Sequence, residues 1–146
     1  MCSYCGCESL DVIGRFMAEH VEIVNASGVL RRACASGDAG AVAEAADDLH
    51  RLLHPHTAAE EAGLFRVLGE DDEFTEHVRD LCAEHVDLDA ALARIRKGEH
   101  ASSSDLDRAL RSHIDREENG VFPAAAVAFA GPEWGRVEAL TPAAPQ

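Results

Sequence analysis

The chain predicts an all-α fold: an up-down-up-down antiparallel four-helix bundle with a short C-terminal helix. Three observations carry this prediction. The 146 residues are rich in Ala, Leu, Glu, Asp and Arg, which suit helices, and hold only five Phe, one Trp and one Tyr. Four long stretches of helical apolar spacing are separated by short polar or glycine-containing turns. The chain also repeats itself. Residues 18–23 read A-E-H-V-E-I and residues 83–88 read A-E-H-V-D-L. The run H-T-A-A-E-E-A-G-L-F from His56 is echoed by H-I-D-R-E-E-N-G-V-F from His113.

Helix 1 is expected from Ser9 to Ala35, with Val12, Ile13, Phe16, Val24 and Leu30 inward, and S-G-D-A-G (36–40) breaks it. Helix 2 follows from Ala41 to Leu68. Its interior Pro55 costs about 3 kcal/mol, and a kink there either helps to aim His56 or is merely tolerated. After the turn G-E-D-D (69–72), helix 3 covers Glu73 to Lys97 with Val78, Leu81, Leu88 and Leu92 on its inner face. A serine of the loop K-G-E-H-A-S-S-S (97–104) is expected to cap helix 4, which runs from Leu106 to Val121 and is closed or interrupted by Pro123. P-E-W-G-R-V-E-A-L (132–140) forms the last helix, docked by Trp134, and T-P-A-A-P-Q frays. The organisation is thus a cysteine-rich segment (1–8), a bundle (9–141) and a flexible tail (142–146).

The length suits one domain with a substantial core. A formal charge of −14 argues against nucleic acid and anionic membrane surfaces. No apolar run has transmembrane length, and M-C-S-Y-C-G-C lacks the basic and apolar regions of a signal peptide. Three of the five cysteines crowd into the first seven residues, unlike a secreted disulfide scaffold. These features predict a cytoplasmic protein, monomeric or weakly dimeric.

Each half of the repeat offers a lone histidine and a His-x3-Glu pair: His20 with His56 and Glu60, and His85 with His113 and Glu117. Residues four apart share a helix face, so each pair can aim two ligands at one spot. The two lone histidines lie mid-helix, and the two pairs begin the last turns of helices 2 and 4. In an antiparallel bundle all four reach one level. Their flanks are apolar: Phe16 and Val24 about His20, Leu52 and Leu53 before His56, Leu81 and Leu88 about His85, and Leu110 before His113. Burying these groups without partners costs several kcal/mol each, and a pair of metal ions removes that cost. Imidazole with carboxylate suits iron, zinc or manganese.

In these residues the chain resembles the hemerythrin-like HHE cation-binding domains. The pattern H…HxxxE…H…HxxxE, with an E-E-x-G-[LV]-F tail after each pair, covers essentially residues 10–125. The resemblance implies a four-helix bundle holding two iron ions bridged by an oxo or hydroxo group. His20, His56, His85 and His113 would be terminal ligands, with Glu60 and Glu117 as bridging carboxylates. Oxygen-carrying hemerythrins supply a fifth histidine from an HxxxH on the third helix. Here Leu81 and Asp89 stand four residues before and after His85, so both metals keep one open position. That equality argues against simple oxygen carriage. It favours a protein that reacts with or senses O2, peroxide or nitric oxide, in the setting of oxidative stress. Alternatives are an iron or oxygen sensor without turnover, and an iron donor for repair of damaged iron–sulfur centres. Repair proteins of the family carry a separate N-terminal domain where this chain has a short cysteine segment.

Cys2, Cys5 and Cys7 spell C-x2-C-x-C. They suit a second metal site (zinc or an iron–sulfur cluster with a fourth ligand), a thiol relay serving the iron, or a merely oxidisable tail. Cys82 is expected to face the core and Cys34 to be inert. Glu61 and Glu118 lie about 100° around the helix from the bridging glutamates. Like Glu19 and Glu84, they are expected to be solvated surface carboxylates, with a supporting role behind the ligands as the lesser alternative. His50 and His54 form a surface i,i+4 pair, His77 could approach the pocket mouth, and Gly63 and Gly120 could permit close helix approach.

Overall fold

A computed structural model describes residues 11–145. Among them the structure is all-helical, with five helices and no strand. α1 (Asp11–Ser36) buries Val12, Ile13, Phe16, Met17, His20, Ile23, Ser27 and Leu30, a stripe at three- and four-residue steps. Ile23 takes the inward position expected for Val24, which is only half-buried. Gly37 ends α1 in the left-handed region (φ 75°), which glycine reaches without a Cβ penalty. Asp38 then caps α2, its Oδ1 accepting from the Gly40 and Ala41 amides at 3.0 and 3.2 Å.

α2 (Ala39–Glu60) stays helical through Pro55. It continues through a π-helical turn, Glu61–Phe65, into a closing α-turn, Arg66–Leu68. α3 (Thr75–Arg96) buries Val78, Leu81, His85, Leu88, Leu92 and Ile95. A 3-10 turn (His100–Ser102) leads into α4 (Ser103–Arg116), which begins earlier than expected. Ser102 occupies the N-cap position but makes no side-chain cap bond, so the anticipated serine cap is not formed.

Pro123 does not close α4. A second π-turn, Glu117–Val121, precedes it, and the helix resumes over Phe122–Ala128 with the proline in its first turn, where no intrahelical N–H bond is due. α5 (Gly131–Leu140) is entered through the Ala130 amide, which donates to Glu133 Oε1 at 2.7 Å. Half-buried Trp134 meets Phe129 edge-on, while Val137 is fully buried. Gly63 lets α5 dock: a Cβ there would lie 2.1 Å from Thr141 Oγ1 and 3.0 Å from the Val137 carbonyl. At Gly120 a Cβ would meet nothing within 4 Å, so the repeat's second glycine serves no close approach. The start of the expected frayed tail is tied down, because Arg15 Nη1 donates to the Pro142 carbonyl at 2.7 Å.

α1 packs on α2 and α4, and α3 packs on the same two helices. Two apolar clusters result. One gathers Phe16, Met17, Leu64, Phe65, Leu68, Leu81, Phe122 and Val137, and the other Ile23, Leu30, Leu49, Leu53, Leu88, Leu92, Ile95 and Leu110. The two lone histidines lie along the chain between these clusters, His20 between Met17 and Ile23 and His85 between Leu81 and Leu88. A separate buried polar contact joins Ser27 Oγ to Asp107 Oδ1 at 2.9 Å. No helix among the described residues is long and apolar enough to cross a membrane.

Candidate metal centre

All six predicted side chains come together, and all six are buried. Their ligand atoms fall into two overlapping groups, His20–His56–Glu60–Glu117 and Glu60–His85–His113–Glu117. Within each group the atoms lie within 4.8 Å of one another, so each could hold a metal ion. Both glutamates belong to both groups. Helical spacing does the local work: His56 and Glu60 are i,i+4 on α2, with Nε2 3.2 Å from Oε1. The corresponding distance from His113 to Glu117 is 3.4 Å. From the other helices, His20 Nε2 comes within 3.2 Å of Glu117 Oε1 and His85 Nε2 within 3.4 Å of Glu60 Oε1.

These approaches are not hydrogen bonds. His20 Nε2 and all four oxygens of Glu60 and Glu117 are buried with no hydrogen-bond partner. Leaving such atoms unsatisfied costs about 1–3 kcal/mol each, more when charged. His85 Nε2 and His113 Nε2 stand 3.0 Å apart. These five unpartnered atoms face one another, and the donor set of imidazole and carboxylate is one that could hold cations.

Every Nδ1 faces outward and meets a carboxylate on another helix. His20 pairs with Glu118 at 2.7 Å, His56 with Glu19 at 2.7 Å, His85 with Glu61 at 2.8 Å and His113 with Glu84 at 2.7 Å. This corrects the expectation of solvated surface groups for Glu19, Glu84 and Glu118, whereas Glu61 is exposed as expected and pairs with His85 as well. Each acid is adjacent on the chain to a ligand position, and the same E-H and E-E pairs occur in both halves. That identity was the available signal.

Electrostatics follow from this packing. Burial alone lowers the His20 imidazole, but the carboxylates of Glu117, Glu118 and Glu60 outweigh it and push it up to about 11. Burial likewise lowers His56, and Glu60 with Glu19 raises it to about 9. His85 and His113 are raised for the same reasons. Burial works to raise Glu60, yet the surrounding imidazoles hold it well below the usual carboxylate range.

Aromatic rings brace the histidines. Phe122 stacks on His20, Phe65 stacks on His85, and Phe16 meets His56 edge-on at 5.5 Å. A π-turn closes five residues apart rather than four. Phe65 and Phe122 each stand five residues after a central glutamate, so the turn returns them to the ligand face.

The remaining candidates lie elsewhere. Cys2, Cys5 and Cys7 fall outside the described residues. Cys82 is half-buried against the first apolar cluster, and burial and then the charge of Glu61 push its thiol up to about 11. Cys34 packs beside the second cluster. His50 and His54 stack at 5.3 Å, with His50 Nδ1 3.7 Å from Asp89, and His77 is exposed. A groove of about 680 Å³ between α1 and α2 reaches Glu19 and His56 from solvent, with Ala144 and Pro145 among its lining.

The fold and site define a helical, histidine- and glutamate-based metal-binding protein. The chain belongs to the hemerythrin family: the model of the hemerythrin HHE cation-binding domain matches residues 11–125. No curated protein and no solved structure matches the chain significantly.

Proposed function

We propose that the chain is an up-down-up-down antiparallel bundle that holds two iron ions and reacts with or senses O2, peroxide or nitric oxide. His20, His56, His85 and His113 serve as terminal ligands, and Glu60 and Glu117 are shared between the metals. The observation that carries this reading is the convergence of five buried, unpartnered donor atoms in two overlapping groups. Short connections between neighbouring long helices favour the antiparallel arrangement. When bound, iron supplies two adjacent redox centres with coordination room beyond the protein donors.

The chain's own residues do the rest. The four Nε2 atoms act as donors in their unprotonated form, which His20 and His56 reach by releasing a proton, and Glu60 is held as an anion ready to be shared. Phe16, Phe65 and Phe122 on one side, with Ile23, Leu53 and Leu110 on the other, limit water at the centre. Leu81 lies in the core and Asp89 is exposed, so α3 adds no second imidazole beside His85. Equal donor sets favour small-molecule redox chemistry or sensing over reversible oxygen carriage.

Metal analysis and an absorption spectrum of the purified protein test the reading. Two iron ions per chain and the charge-transfer bands of a bridged pair are expected; iron content well below two sinks it. Rapid consumption of peroxide or nitric oxide, lost in Glu60→Ala, supports turnover. Binding without consumption, coupled to unfolding when iron is removed, supports a sensor. The donor reading predicts loss of client repair in Cys5→Ser and Cys7→Ser with the iron spectrum intact.

A further inference from the structure

The outer glutamates run head to tail around the bundle. Glu19 of α1 accepts from His56 of α2, Glu61 in the π-turn after α2 from His85 of α3, and Glu84 of α3 from His113 of α4. Glu118, in the π-turn after α4, then returns to His20 of α1. We propose that Glu19, Glu61, Glu84 and Glu118 are positioning residues forming a closed ring, each fixing the plane and Nδ1–H tautomer of a histidine on the next helix so that its Nε2 faces the centre. The inference rests on the metal-binding reading above and assigns residues that lie behind its ligands.

Three observations support the ring. All four contacts measure 2.7–2.8 Å, and all four use Nδ1. A residue adjacent to a ligand on its own helix is turned about 100° away from it, so the partner must come from a different helix. The ring therefore exists only in the assembled bundle, and it ties ligand orientation to helix packing. Arginines hold one member per half-site: Arg15 Nε donates to Glu19 at 3.0 Å, and Arg116 donates to Glu84. A carboxylate behind a metal-bound imidazole fixes its tautomer and orientation, and its loss costs about 10–100-fold in metal affinity.

The members differ in exposure. The Glu118 side chain is 14% exposed and that of Glu61 is 43% exposed, so water replaces Glu61 more readily. Glu19 and Glu118 serve the His20–His56 group, whereas Glu61 and Glu84 serve His85–His113.

The test is competition of the iron-loaded protein with a ferrous chelator, using Glu118→Ala, Glu118→Gln and Glu61→Ala. Glu118→Ala should weaken iron binding about 10–100-fold, and Glu61→Ala less. Glu118→Gln, whose amide oxygen still accepts from Nδ1–H, should stay close to the wild type. In the zinc-loaded protein, one low-field imidazole N–H proton resonance should vanish in Glu118→Ala and survive in Glu118→Gln, a change that a merely structural role would not produce. Wild-type affinity in Glu118→Ala, or an equal loss in Glu118→Gln, overturns the ring while two-metal uptake by the wild type leaves the metal reading standing. Uptake of fewer than two metals by the wild type overturns both. If Glu118→Ala does not fold, Glu61→Ala carries the test at His85: weaker binding with the His85 resonance lost supports the ring, and wild-type behaviour overturns it.

Discussion

Phe122 lies flat against His20, with ring centroids 5.9 Å apart and planes within 4° of parallel. Phe65 repeats the relation on His85 at 5.7 Å and 13°. The lone histidine of each half is thus backed by the aromatic residue that ends a neighbouring helix's E-E-x-G-[LV]-F run. The face of each ring is fixed by a phenyl group and its Nδ1 edge by a carboxylate, leaving the Nε2 edge toward the centre.

Phe122 is fully buried, so Phe122→Ala should cost about 3–5 kcal/mol of stability. Phe122→Leu keeps most of the apolar volume but loses the flat contact. It should destabilise less, yet speed iron release as His20 gains freedom. Urea denaturation of the metal-free protein and chelator-driven iron release separate the two effects. Unchanged release in the leucine variant would show that the stacking does not hold His20.

The sharing of Glu60 makes a second prediction. It belongs to both ligand groups, whereas His85 belongs to one. His85→Ala should leave one metal bound per chain, while Glu60→Ala should weaken both sites. Metal content after gel filtration measures this. Glu60→Ala protein retaining two tightly held metals would rule out the shared role.

The helices and six central side chains were legible because both obey the helical period: apolar stripes at three- and four-residue steps, and His-x3-Glu pairs one turn apart. The outer glutamates were not. Glu61 points away from Glu60's neighbours on its own helix, and only the packing of α3 brings His85 to it. The π-turns were also hidden, since ordinary periodicity makes a residue five beyond Glu60 or Glu117 off-face. Fully buried Phe65 and Phe122 at that spacing were the trace they left. Pro123 read as closing or interrupting the helix, and a rearranged turn places it where the helix resumes.

Gly63 and Gly120 occupy equivalent places in the repeat but different surroundings. Gly63→Ala pushes a methyl group into Thr141 and the Val137 carbonyl, and should cost about 1–3 kcal/mol by displacing α5. Gly120→Ala meets open space and should be neutral or gain about 0.5–1 kcal/mol. Thermal melts of the two variants decide it. Equal effects would remove the argument that α5 docks through the missing side chain at residue 63.

The metal-free protein should lose stability as pH rises. Burial lowers His20 and His56, yet the adjacent carboxylates leave them at about 11 and about 9, above the ordinary 6.5. A raised imidazole stabilises the folded state fully below its unfolded value, and that contribution is lost as pH climbs through the folded values. Glu60 acts in the opposite sense: its depressed value adds stability above the unfolded value of 4.5, lost as pH falls. Metal-free stability from these groups should therefore be greatest between about 4.5 and 6.5 and decline toward 9 and beyond. With metal bound, the Nε2 protons are already gone, so protons compete with metal in acid and the alkaline decline is removed. Melting curves in chelator and in excess metal, from pH about 6 to about 9, should show a gap that widens with pH. A metal-free melting temperature that rises over that interval would mean that His20 and His56 are not held protonated by Glu60, Glu117 and their outer partners.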